Sequence, residues 1–442
     1  MRRGSTGGPA LISATVAVCL ALTVGGCRPV GKTYRSFADY PGFDEYYGGR
    51  CREEEPPPAE EDRELLRRYR PRLVLPGGGR YPIDFYRDYL PHTVLRRHPD
   101  KSVVTEDVTP AVLEANRDNR GVYLDFRFDR YRADGLDRRA GEEEGEISLA
   151  ARIPVVYGRI YREPVSFPVE GGTSRSYSLI FLKYNAVFAV SGLPAGLPKG
   201  YELLLRMAGL SPEEWHDLDN FVVVHVVLDE GKRPMAVILS QHNSHRTYLA
   251  DAQIPVPPDG RFTFDVALRS NEVYPASDSP DLVRHRAIRG NRFLKYLLSG
   301  NDPPFPSADD VTQGRKAGGR EIRYDLVFLS PCDPFYTSRI LLGEPRPLFG
   351  RYIGRDGPPG ADYYAIPALL PLGNLLMFGY LRDGDTEDIR MVDEAVDRGK
   401  KTIDVGRITE HGGRRFFRDW TGLRKGKRRG RPGVGVPAGA DP

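Results

Sequence analysis

The sequence predicts a mainly β protein: an antiparallel β-sandwich with a few short helices and a less regular C-terminal extension. Three observations predict it. Short β-branched and aromatic runs recur between residues 70 and 268, separated by Pro- and Gly-rich loops. The 24 Tyr and 19 Phe suit strands. The 38 Pro and 48 Gly leave little room for long helices, and strands do not alternate with helical stretches as they would in a parallel α/β sheet.

The first 27 residues stand apart from this fold. Arg2 and Arg3 precede an apolar run from Leu11 to Val24, about the length of a secretory signal core. Val24-Gly25-Gly26-Cys27 follows, with small residues ahead of a cysteine. This resembles a bacterial lipoprotein signal, which implies a lipid on the Cys27 thiol and a chain tethered to a membrane of the cell envelope after export across the inner membrane. A plain secretion signal and a short membrane anchor are the alternatives. Residues 28–68 read as an acidic, Pro-rich spacer, with Glu64 to Tyr69 forming a turn or two of helix. Cys51 and Cys332 are the cysteines left in the body; they either pair, stapling the spacer to the C-terminal half, or stay as separate thiols.

The sandwich is expected over 69–290. Its strands are read at Arg70–Leu75, Gly121–Phe128, Ile153–Ile160, Tyr177–Phe188, Phe221–Leu228, Met235–Leu239 and Phe262–Leu268. Ile83–Leu90 and Tyr201–Leu210 read as short helices. Residues 291–410 form the extension, with a helix at Arg289–Leu298 and a strand at Tyr324–Leu329. Tyr363–Leu381 is the most apolar stretch after the leader. Pro367 and Pro371 argue for a buried helix or loop rather than a membrane span. Residues 411–442 read as a basic disordered tail. Six Lys/Arg lie between Arg424 and Arg431, to be weighed as a weak contact with anionic surfaces or as a solvated tail. Over the whole chain the formal net charge is only +4 and both signs are mixed, so no specific nucleic-acid partner is expected.

The chemistry concentrates at residues 214–242. Glu214, His216, Asp217 and Asp219 lead into Phe221-Val222-Val223-Val224-His225-Val226-Val227-Leu228, and a second run ends in Ser240-Gln241-His242. Val222, Val224 and Val226 are assigned to the core face and His225 to the solvent face. The set Glu214, Asp217, Asp219 and His242 is the candidate metal site. Carboxylate oxygens suit Ca²⁺ or Mg²⁺, and a histidine shifts the preference toward a transition metal. A solvated acidic turn is the competing reading. No Gly-x-Ser-x-Gly, His-Glu-x-x-His, phosphate loop or Cys-x-x-Cys accompanies the acids.

Further pieces fall in one order. Tyr69–Leu75, Pro154–Ile160, Tyr177–Val187, Trp215–Val224, Ser240-Gln241-His242 and Leu268–Pro275 follow one another over about residues 69–280. This resembles the vacuolar-protein-sorting-type β-sandwich family and its relatives, the necrosis-inducing secreted toxins. The resemblance implies a metal-binding acidic pair at Asp217 and Asp219. In the toxins a histidine stands upstream of that pair, and Glu214 occupies its place here. Leu218 replaces a family Trp, and Asn271 replaces a family His; these departures count against the toxin activity and leave metal binding open. Two functions are expected to compete. The first is a membrane-anchored lipoprotein with a non-catalytic binding or structural domain for a protein or glycan ligand. The second is a metal-dependent hydrolase or membrane-active protein built on 214–219.

Overall fold

The computed structural model describes residues 58–98, 100–119, 121–141, 152–168, 173–192, 199–207, 211–214, 216–241, 244–276, 318–330, 332–338, 340, 342–343, 347–348, 351–352, 372–373, 376–377, 380 and 405–427. In chain order the elements begin with α1 (Glu60–Arg68), β1 (Arg72–Leu75), β2 (Thr93–Arg97), β3 (Val103–Thr105), α2 (Pro110–Ala115), β4 (Val122–Phe126) and α3 (Phe128–Ala133). The long strands follow: β5 (Val155–Pro168), β6 (Ser174–Ser191), then α4 (Lys199–Met207), β7 (His216–Leu228), β8 (Pro234–Gln241) and β9 (Ser244–Leu249). The chain continues through β10 (Thr263–Val266), β11 (Val273–Pro275), β12 (Arg320–Glu321), β13 (Asp325–Phe328), α5 (Pro334–Thr337), β14 (Pro347–Leu348), β15 (Arg351–Tyr352) and α6 (Val405–Lys427).

The strands build several sheets, and none closes into a barrel. The largest has six strands in the order β13-β5-β6-β7-β8-β9, and a four-stranded sheet runs β11-β10-β1-β12. Smaller sheets hold β3-β2-β4 and β14-β15. The expected wholly antiparallel pairing needs correction, because β1 lies parallel to β10 and β13 parallel to β5. Both parallel partners reach their neighbour from far along the chain, so no tight hairpin dictates direction.

The six-stranded sheet is buried on both faces. Ile180, Leu182, Tyr184, Val222, Val224, Val226, Val237 and Leu239 share one core with Leu73, Leu75, Phe264 and Val266 of the four-stranded sheet. Tyr157, Tyr161, Phe181, Val227 and Ile238 face the other way, into a core with Phe85, Phe126, Phe335, Tyr336, Met377 and Phe417. This double burial explains why Val222 to Leu228 reads as an apolar run broken only by His225, not an alternating one. It also corrects the placement of His225, which is 2% exposed and not on a solvent face.

Three boundaries shift for physical reasons. Residues 60–68 of the expected spacer form α1, with Leu65 and Leu66 buried in the core. Arg162 pairs with Asp62 and Lys232 with Glu61, and the Tyr184 hydroxyl donates to the Leu66 carbonyl at 2.9 Å. Residues 291–410 do more than pack on the sheets: β12 extends the four-stranded sheet and β13 the six-stranded one. Residues 411–427 of the expected tail belong to α6. Phe417 stacks on Tyr177 at 4.0 Å between ring centroids, and Phe416 and Trp420 are buried beside it. Gly413 lets the helix lie this close, since a Cβ there would collide with the ring of Phe167. Within Tyr363–Leu381 the described positions Leu372, Gly373, Leu376, Met377 and Tyr380 are helical and buried. No helix among the described residues is long and apolar enough to cross a membrane. The expected helix at Arg289–Leu298 and the basic run beyond Lys427 lie outside the described residues.

Candidate functional site

The acidic stretch enters the fold at the start of β7. Val190 of β6 pairs with Asp217 and Phe188 with Asp219, but Ala186 pairs with Val222, so β7 carries one extra residue between 219 and 222. Such a bulge re-aims side chains at a strand end. Leu218 takes φ +38° just before it and turns its side chain into the core. Asp217 and Asp219 are consequently 3% and 0% exposed.

The turn at Arg269–Glu272 closes over them. Asn271 sits at φ +55°, a conformation asparagine tolerates, and its Nδ2 donates to Asp219 Oδ2 at 3.0 Å and to the Val190 carbonyl at 2.9 Å. The Gly192 amide donates to the Arg269 carbonyl at 2.7 Å, and Ser191 Oγ donates to the Ser270 carbonyl at 3.3 Å. Gly192 is required there: a Cβ would lie 2.7 Å from the Glu213 carbonyl oxygen. Asn271, where the resembling family has a histidine, thus does meet Asp219, but as an amide that pins a loop.

Glu214 goes elsewhere. Arg80 Nη2 lies 3.4 Å from its Oε1, and Arg132 Nη2 donates to the same oxygen. Asp137 completes the group, 2.8 Å from Arg80 Nε, 3.5 Å from Arg132 Nε and 3.6 Å from Arg139 Nη2. An antiparallel bridge between Arg80 and Arg139 holds the two segments together. The side chains of Arg80 and Asp137 are only 9% and 7% exposed, so this is a largely buried ion-pair network, with Arg132 resting on the Phe128 ring at 4.5 Å.

Three of the four residues of the expected metal set are among the described residues. Glu214 serves two guanidinium groups, Asp219 holds Asn271, and His242 lies outside the described residues. Among the described residues no group of three or more His, Cys, Asp or Glu is placed to hold a metal ion. Spacing along the chain put the acids together, whereas the basic partners come from positions 80 and 132. The chain matches no family model, no curated protein and no solved structure. The resemblance drawn from residues 69–280 accordingly rests on motif order alone.

A second polar constellation was not foreseen from the sequence. Arg159 of β5 is the register partner of Lys183 of β6, which is the partner of His225 of β7. The row lies on the face of the sheet that carries Tyr157, Tyr161, Phe181 and Val227, at 4%, 3% and 2% exposure. Arg159 Cζ is 4.5 Å from the Tyr161 ring centroid and 4.9 Å from that of Tyr336, and Lys183 Nζ is 5.6 Å from the Tyr336 centroid. The signal that would have found it is a basic residue inside an apolar strand, as Lys183 is within Leu179–Ala186.

Burial, then the neighbouring Arg159 charge, pushes the Lys183 ammonium down from 10.5 to about 7. Between those values the unfolded chain binds the proton and the folded chain does not, so the contribution of Lys183 to stability rises with pH across that window and is constant below it. Urea unfolding at a series of pH values is expected to show this slope in the wild type and its loss in Lys183→Met.

The cysteine expectations fall mostly outside the described residues, which include neither Cys27 nor Cys51. Cys332 is half-buried, and its carbonyl accepts from Arg117 Nη2 at 2.8 Å.

Proposed function

We propose that the protein is a lipid-anchored lipoprotein of the bacterial cell envelope whose β-sandwich domain binds a ligand and does not catalyse a reaction. The observation that carries this reading is Val24-Gly25-Gly26-Cys27 at the end of an apolar run that follows Arg2 and Arg3. A lipid on Cys27 ties the chain to a membrane, and residues 28–59 hold the folded body away from it. The sandwich reading is supported by the shared core between the four-stranded and six-stranded sheets. The binding reading, against the metal-dependent one, is supported by the use of Glu214 and Asp219 in holding loops and arginines.

Cys27→Ser is expected to move the protein from the membrane fraction to the soluble fraction. Retention of that variant on membranes through a carbonate wash would overturn the anchor.

A further inference from the structure

We propose that Arg159, Lys183 and His225 form a binding site for a small oxyanion, a phosphate or carboxylate group, on the face of the six-stranded sheet that carries Tyr157, Tyr161, Phe181 and Val227. The inference deepens the binding reading by naming the ligand chemistry.

The argument starts from register. The three residues are successive cross-strand partners, so they lie side by side on one face with neighbouring strands about 4.8 Å apart. All are buried. A guanidinium stays charged in any protein environment. Here the Tyr161 and Tyr336 rings take the Arg159 group at 4.5 and 4.9 Å. Aromatic contact satisfies the flat surface of a guanidinium but not the N–H donors along its edge. Arg159 Nε and Nη1 are buried and have no hydrogen-bond acceptor among the described residues.

Three carboxylates among the described residues on this side of the sheet have partners of their own. Glu163 stands four residues further along β5, about 13 Å away at strand spacing, and accepts the backbone amides of Leu372 and Gly373 at 3.1 and 3.0 Å. Asp84 accepts from the Tyr157 hydroxyl at 3.0 Å, and Asp333 accepts from Tyr86. Among the described residues no carboxylate is paired with Arg159 or Lys183; a buried guanidinium without an anion is unfavourable, and an oxyanion would supply the missing partner. Charge-assisted donation from guanidinium N–H groups, with an ammonium beside them, is a usual way such groups are held.

The test uses the full-length protein in detergent at constant ionic strength. Thermal unfolding is followed while inorganic phosphate, acetate or chloride is added. A saturable rise in Tm with phosphate or acetate, absent with chloride, is expected, and the stronger of the two identifies a phosphoryl or carboxyl ligand. Arg159→Met and Lys183→Met should each weaken that response by about tenfold or more in apparent Kd. No saturable response to either oxyanion, or one undiminished in both variants, overturns the site. If the variants do not fold, phosphorus and carbon NMR of phosphate and labelled acetate with the wild-type protein decides. Lines broadened by the protein support the site, and unperturbed lines for both overturn it. Failure here leaves the anchor untouched, because that is read from membrane fractionation of the Cys27 variant.

Discussion

Val224→Asp is expected to lower the stability of the protein by about 4–5 kcal/mol. Val224 is 3% exposed and stands between its register partners Tyr184 and Leu239 in the core shared with the four-stranded sheet. A carboxylate there would meet no cation in these neighbours, and the Tyr184 hydroxyl already donates to the Leu66 carbonyl. Urea unfolding measures the loss; a variant that unfolds like the wild type would contradict the assignment of this face. His225→Asp is the matched control one residue along. Its carboxylate would fall beside Lys183, its register partner, and should be tolerated far better despite 2% exposure of the native side chain.

Asp137→Ala is the second large effect. The substitution removes the carboxylate that faces Arg80, Arg132 and Arg139, leaving Glu214 as the acid beside Arg80 and Arg132. Loss of one partner from a buried ion pair typically costs about 3–5 kcal/mol, because the other charge stays buried. The loss should be the same with added Ca²⁺ or Mg²⁺ as with a chelator, since arginines hold these acids. A destabilisation that appears only when divalent metal is present would mean that the acidic stretch binds metal.

Much of the strand pattern was legible in the sequence. The runs read at Tyr177–Phe188, Phe221–Leu228, Met235–Leu239 and Tyr324–Leu329 each coincide with a strand, within a few residues at their ends. Val222, Val224 and Val226 do face a core. β9 was missed because Ser244-His245-Arg246-Thr247-Tyr248-Leu249 is too polar to stand out, and only pairing with β8 makes it a strand. The face of His225 was misjudged because alternation says which residues share a side, not whether a second layer covers it. Here Tyr336, Met377 and Phe417, all distant in sequence, supply that layer.

The site was legible in its residues but not in its partners. Glu214, Asp217 and Asp219 were singled out by local spacing, and two of these three do anchor the β7 end, Glu214 through arginines and Asp219 through Asn271. Which groups they meet depends on where Arg80, Arg132 and Asn271 are brought by the fold. The same holds for Arg159 and Lys183, whose adjacency is a consequence of the β5–β6 register.

The central claim is the anchor at Cys27, and mass spectrometry of the mature N-terminus of the membrane-bound protein tests it most directly. The result expected is a chain that begins at Cys27 with a diacylglyceryl group on its sulfur. A mature chain that begins at another residue, or an unmodified Cys27 thiol, would contradict it.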